Sequence, residues 1–273
     1  AFLPWVRMHA IKDYYDMAAI LQQYPSLKAT FNLVPSLIEQ LVAYYDGEPR
    51  DSYEKVALIP AAELTDDEKA FLLRRFFDAN WDKVIARYPR YQELLDKRGS
   101  DASDRAIAEA MTRCTEQDYR DLQVWFDLAW FDPDFLEHDR ELAALVQRGR
   151  NFTEADKQVI REKQTAIIRE IIPLHRSMQE TGQIEVITTP YAHPILPLLY
   201  DTDVAHIASP DLALPAVRYS YPDDIAVHLE RALDNYRTYF GRDPKGLWPS
   251  EQAVSKYIVP YVARAGFQWM ISS

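Results

Sequence analysis

The stretch Gly182-Gln-Ile-Glu-Val-Ile-Thr-Thr-Pro-Tyr-Ala-His-Pro194 decides how this chain is read. Gly182 closes a helical pattern, at the position where a chain leaving a helix through the left-handed region does best without a Cβ. A strand pattern, residues 184–189, follows it. Pro190 and Pro194 then bracket a short loop that carries Tyr191 and His193. Gly266 repeats the arrangement before Phe267-Gln-Trp-Met-Ile271, again helix, glycine, strand. Lys28-Ala-Thr-Phe-Asn-Leu-Val34 is a further strand candidate after a helical stretch over residues 10–23, and Gly246-Leu-Trp248 is a short fourth. Helix then strand, repeated, predicts parallel strands with helices outside them: an α/β sheet or barrel.

Residues 46–181 break that rhythm with helical patterns only. Thr65-Asp-Asp-Glu68, Thr115-Glu-Gln-Asp118 and Thr153-Glu-Ala-Asp156 open helices in capping-box fashion, the last two with Asp in place of Glu. Asp132-Pro133 ends the aromatic helix that holds Trp125, Phe126, Trp130 and Phe131, because proline disfavours a helical residue before it. Helical spacing makes those rings core. The expected organisation is barrel over 1–45, a mostly helical insertion over 46–181, and barrel again over 182–273. The chain begins at Ala1 without a methionine and stops in the strand-like run Phe267–Ser273, so it reads as a piece of a longer protein.

Composition narrows the function classes. Of 273 residues, 31 are Lys or Arg and 42 are Asp or Glu, a net charge of −11 that argues against non-specific phosphate-backbone binding. No apolar run is long enough to span a membrane. Cys114 is the one cysteine, which excludes an internal disulfide and a multi-cysteine metal cage. Without a disulfide or a signal-peptide pattern, a cytoplasmic location is the expectation. The 17 Tyr, 11 Phe and 6 Trp can stack on the flat apolar faces of sugars, although such rings serve first as core.

In parallel α/β folds, functional side chains gather at the carboxyl ends of strands. Three places qualify. Gly246-Leu-Trp-Pro-Ser-Glu251 sets a carboxylate beside an indole, which suits a nucleophile or cation stabiliser next to a sugar platform. The same Glu251 would equally suit the first turn of a helix expected over residues 252–265, where the dipole favours an acid. Tyr191 and His193, on their proline-bounded loop, can hold hydroxyls or simply fill a helix-entry loop. Asn32, near the end of its strand, is either structural or turned toward a barrel interior. His9, His138, His175, His206 and His228 show no His-x3-His or His-Glu-x2-His spacing, so no metal site and no cofactor are expected. Glycine-rich nucleotide motifs and the Gly-x-Ser-x-Gly elbow are absent from the sequence.

These segments together resemble glycoside hydrolase family 57, the α-amylase and 4-α-glucanotransferase family. The similar stretches are Leu3-Pro-Trp-Val-Arg-Met-His-Ala-Ile-Lys-Asp-Tyr14, Ala29–Leu41, Val124-Trp125-Phe-Asp-Leu-Ala-Trp-Phe-Asp-Pro133, Gly182–Leu198 and Gly246–Glu251. The resemblance implies a (β/α)7 barrel, incomplete here, with a large helical insertion between two strands. It implies a retaining mechanism on α-glucans or maltooligosaccharides, with Glu251 as nucleophile and Trp248, His193, Tyr191 and Asn32 around the substrate. The family's acid/base aspartate belongs to a later strand and has no match within residues 1–273; its first-strand His-Gln-Pro motif would precede Ala1. A 4-α-glucanotransferase or branching enzyme of the same family and a catalytically silent carbohydrate-binding homologue are the alternatives. A metal-dependent polysaccharide deacetylase is the rival from another class. No nucleic acid or membrane partner is expected, and the sequence leaves the oligomeric state open.

Overall fold

The computed structural model describes residues 3–272. The chain divides into two compact units, Ala1–Met17 with Leu41–Ile171, and Ala18–Gln40 with Ile172–Ser273.

The first unit is built of helices and connecting turns, with no strand among its described residues. All three capping sequences act as read. Thr65 and Glu68 exchange bonds across the start of the Asp66–Arg75 helix, Thr115 and Asp118 do so for Glu116–Leu128, and Thr153 and Asp156 do so at the helix beginning at Glu154. Each box satisfies amide groups that a helix start otherwise leaves without a partner. Asp132 caps the Pro133–His138 helix that follows the aromatic one. Trp125, Phe126 and Phe131 are buried as expected, with Phe126 centred 4.6 Å from Phe76 and 5.5 Å from Tyr53. Trp130 is the exception: it lies half-buried beside Trp5 and His9. A guanidinium also sits in this core. Arg7 donates to Asp51 at 2.9 Å, to Asp127 at 2.7 Å and to Gln164 at 3.0 Å.

The second unit carries the strands: β1 (Ala29–Asn32), β2 (Ile184–Ile187), β3 (Gly246–Leu247) and β4 (Trp269–Met270). β1 pairs parallel with β2, aligning Asn32 with Ile187, and β3 pairs parallel with β4. A parallel bridge from Thr188 to Leu247 joins the two pairs, and the Trp248 amide donates to the Thr188 carbonyl at 2.8 Å. The spatial order is therefore β1-β2-β3-β4, the same as the chain order. β3 is so short that the Val186 amide donates instead to the Gln179 side chain at 2.8 Å.

Local sequence explains these elements. Gly182 adopts φ +72° after the Glu154–Glu180 helix, and the Gln183 amide reaches back to the Met178 carbonyl at 3.0 Å. That left-handed turn feeds β2 directly. The Pro222–Phe240 helix buries Ile225, Leu229, Ala232, Leu233, Tyr236 and Phe240, one face at helical spacing. Its leucines meet Leu196, Leu247, Ile258, Val262 and Phe267 in the unit's core. Gly246 has no room for a side chain: a Cβ there would lie 2.3 Å from the Trp269 ring.

One expectation needs correcting. The helix expected over residues 252–265 is present only as Val259–Arg264. A single turn at Ser250–Gln252 ends in two left-handed residues, Glu251 at φ 56° and Gln252 at φ 57°, which break any continuous helix. Pro260, in the first turn, fits a helix start there, because its missing amide costs nothing at that position. Glu251 therefore does not occupy the first turn of that helix.

Candidate functional site

The carboxyl ends of β1, β2 and β3 lie side by side through the register just given. Asn32 is the last residue of β1. The Thr188–Pro194 segment leaves β2, and Trp248–Glu251 leaves β3. Short parallel strands in sequential order thus bring three separate stretches of chain to one edge.

Two of the five predicted residues meet. His193 Nε2 lies 3.2 Å from Glu251 Oε1. Both sit on left-handed backbone, His193 at φ 58° and Glu251 at φ 56°. Among the described residues, the only other non-glycine residues there are Gln252 and Asn151, so three of the four cluster at this point. Such conformations cost about 1–3 kcal/mol each and persist where surrounding contacts fix them. The Glu251 side chain is 72% exposed and that of His193 36%, so both can meet a ligand. The tautomer that donates Nε2–H to Glu251 leaves Nδ1 as an acceptor, and that atom is buried with no hydrogen-bond partner.

The His193 loop is held from behind. The His193 amide closes a turn onto the Pro190 carbonyl at 2.8 Å. The Tyr191 amide donates to the His228 carbonyl at 3.2 Å, and the Ala192 amide to His228 Nδ1 at 3.4 Å. Burial lowers the His228 imidazole from its ordinary range, which keeps that ring nitrogen an acceptor. The Tyr191 hydroxyl donates to Glu39, 2.7 Å from each carboxylate oxygen, and the Arg231 guanidinium lies 3.7 Å from the Tyr191 ring centre. The hydrogen bond to Glu39 raises the Tyr191 phenol above its ordinary range, since ionisation would oppose two anions.

Asn32 and Trp248 complete the edge. Asn32 Oδ1 is buried and accepts no hydrogen bond from the protein. Trp248 is half-buried, with its backbone tied to β2 and its indole partly open. Tyr191 is brought to the loop but not to the His193–Glu251 contact; its hydroxyl is engaged by Glu39. Sequence reasoning missed Glu39, His228 and Arg231. Helical spacing links His228 and Arg231 as neighbours on one face, but nothing local points that face at the loop. Among the described residues, no group of three or more His, Cys, Asp or Glu side chains could hold a metal ion. Nor is any described helix long and apolar enough to cross a membrane.

A largely exposed carboxylate held by an imidazole can attack or stabilise an electron-poor carbon. The family model for glycosyl hydrolase family 57 matches residues 2–273. Alpha-amylase 1 of Dictyoglomus thermophilum is 28% identical over 95 residues, which is 34% of this chain and 11% of that protein. The crystal structure of the novel alpha-amylase AmyC from Thermotoga maritima is similar over 98% of this chain and 34% of its own, with 14% identity and a TM-score of 0.45. That of the branching enzyme from the archaeon Pyrococcus horikoshii is similar over 97% and 36%, with 14% identity and a TM-score of 0.45. The chain spans about a third of the length of these solved relatives, and its matched stretch covers about a tenth of the curated one. Because the family model runs along nearly the whole sequence, the chain belongs to glycosyl hydrolase family 57.

Proposed function

We propose that this chain is part of a retaining glycoside hydrolase that acts on α-glucans in the manner of an α-amylase, with Glu251 as the nucleophile. The observation that carries the reading is the His193–Glu251 contact of 3.2 Å at the carboxyl ends of parallel strands, with both residues on strained backbone. The sequential, all-parallel order β1-β2-β3-β4 supports a barrel of the (β/α)7 kind. Parallel crossovers are right-handed, so a run of them without reversal curls a sheet in one direction with its helices outside. In this reading residues 46–181 form a helical insertion between two barrel strands.

The chemistry follows from the residues. His193 Nε2–H hydrogen-bonds the Glu251 carboxylate, aims one oxygen and leaves the other free to attack an anomeric carbon. Trp248 offers its indole to a sugar face, and Asn32 stands at the carboxyl end of β1 on the same strand edge. The glycosidic oxygen leaves as a partner carboxylic acid protonates it. In this reading that acid is an aspartate on a later strand, outside residues 1–273, and a retaining pair stands about 5–5.5 Å apart. A glycosyl-enzyme ester on Glu251 results. Water then attacks its anomeric carbon, the partner carboxylate takes the proton, and Glu251 is released.

The test is incubation of the full-length protein, and of its Glu251→Gln variant, with maltoheptaose, followed by sizing of the products. Shorter sugars alone, lost in the variant, are the expected result. Longer and shorter sugars together would make the protein a glucanotransferase on the same nucleophile. Full turnover by Glu251→Gln would remove Glu251 from the role, and inertness of the unmodified protein toward the sugar would favour a silent carbohydrate-binding homologue.

A further inference from the structure

Tyr191 stands two residues from His193, yet its hydroxyl faces Glu39, so the loop offers a phenol that is already spoken for. Its contacts are made with Glu39, Arg231 and His228. The ring lies under Arg231, the amide is tied to His228, and the hydroxyl is tied to Glu39. Glu39 belongs to the Pro35–Ala43 helix, and His228 and Arg231 to the Pro222–Phe240 helix. Two helices therefore grip one tyrosine. The residue that needs such a grip is His193, whose backbone lies in the left-handed region without being glycine. Left to itself, the Pro190–Pro194 loop would relax to an ordinary conformation and swing the imidazole off Glu251.

We propose that Tyr191 is a positioning residue: held by Glu39 and Arg231, it fixes the left-handed His193 against Glu251 and does not itself bind substrate. This rests on the reading of Glu251 as nucleophile, and it assigns Glu39 and Arg231 a part in the same site. The imidazole orients the carboxylate, the tyrosine orients the imidazole, and the two helices orient the tyrosine. Pre-set geometry of this kind acts on the rate of the chemical step more than on substrate affinity.

The experiment is a mutant cycle in the full-length protein with maltoheptaose. Tyr191→Phe keeps the ring under Arg231 and removes only the hydroxyl. Its kcat is expected to fall roughly three- to tenfold, the scale of one lost hydrogen bond, with KM nearly unchanged. In a His193→Ala background the same change is expected to have no further effect, because Tyr191 acts through the imidazole. A raised KM at constant kcat would show Tyr191 touching sugar and overturn the proposal. So would a kcat loss that persists undiminished without His193, or no change in kcat at all. Glu39→Gln, on an exposed helix position, reads the same chain of contacts if Tyr191→Phe fails to fold.

A second readout separates this proposal from the functional reading beneath it. The imidazole NMR signal of His193, identified by its loss in His193→Ala, is expected to shift in Tyr191→Phe whether or not the protein acts on glucans. A shifted signal in a protein inert toward maltoheptaose would retain the clamp and discard the α-glucan reading. An unmoved signal would discard the clamp alone.

Discussion

Arg7 in the first unit and Glu251 in the second are both charged residues placed by partners far along the chain, and the fold treats them in opposite ways. Arg7 is 1% exposed, its main partner Asp51 is 0% exposed, and its guanidinium is shared among Asp51, Asp127 and Gln164. Burial alone would lower the Arg7 pKa, but Asp127 and Asp51 outweigh it and hold the group firmly charged. Burial alone would raise Asp51, and the adjacent Arg7 holds it below the ordinary carboxylate range. Asp51 also accepts from the Tyr44 hydroxyl at 3.0 Å and caps a helix through the Glu54 amide at 2.7 Å. Glu251, by contrast, is largely exposed and has one side-chain partner at 3.2 Å on strained backbone. A sealed, satisfied charge secures one arrangement of helices. An open charge with spare lone pairs and a fixed direction is available for chemistry.

The sharpest way to break this comparison is to neutralise each centre. Glu251→Gln is expected to lower turnover of maltoheptaose by the full-length protein on the order of 10⁴-fold, with the melting temperature unchanged. A melting temperature that falls with the activity would place Glu251 among the structural charges. Arg7→Met is expected to do the reverse. Removing the guanidinium leaves two buried carboxylates without their cation and should cost about 3–5 kcal/mol of stability in denaturant unfolding. A loss below about 1 kcal/mol would mean that the carboxylates protonate or rehydrate at little cost.

Smaller effects sharpen the picture. Trp248→Ala is expected to weaken maltooligosaccharide binding roughly tenfold, about 1.4 kcal/mol. Its melting temperature should change little, since the indole is only half-buried. Unchanged binding by calorimetry with a marked loss of stability would make Trp248 core. The smallest expected effect is on acid stability. Burial pushes the Asp118 carboxyl up, but Lys97, Thr115 and Arg90 bring it down to about 2 from 3.8. A carboxyl lowered by folding contributes stability that is complete above its unfolded pKa. That contribution is lost as the pH falls from about 3.8 through about 2. Thermal melts across that window should show less acid loss in Asp118→Asn than in the parent chain; an identical slope would remove Asp118 from the account.

Much of the local structure was legible. The glycine before β2 and the three capping boxes announce themselves because each depends on a backbone conformation or a side-chain reach that few residues provide. The helix expected over residues 252–265 failed because its first residues had helical character by composition, whereas Glu251 and Gln252 adopt left-handed backbone in the fold. Propensity is a weak prior where tertiary contacts oppose it. Trp130, expected as core with its three aromatic neighbours, is only half-buried because the helix ends at Leu128 and Trp130 lies in the turn beyond it, off the face that helical spacing assumed.

What the sequence determined by itself is the order of helices and parallel strands, the loop and turn that carry His193 and Glu251, and the family. These rest on short-range rules, or on many residues matching at once. Only the tertiary structure decided that His193 and Glu251 touch, that Tyr191 turns to Glu39 and Arg231, and that Arg7 lies among carboxylates 44 and 120 residues away. The physical reason is the range of the interactions. A cap or a glycine turn is settled within a few residues of chain, whereas hydrogen bonds and ion pairs between distant segments come into being only when packing has already brought those segments together.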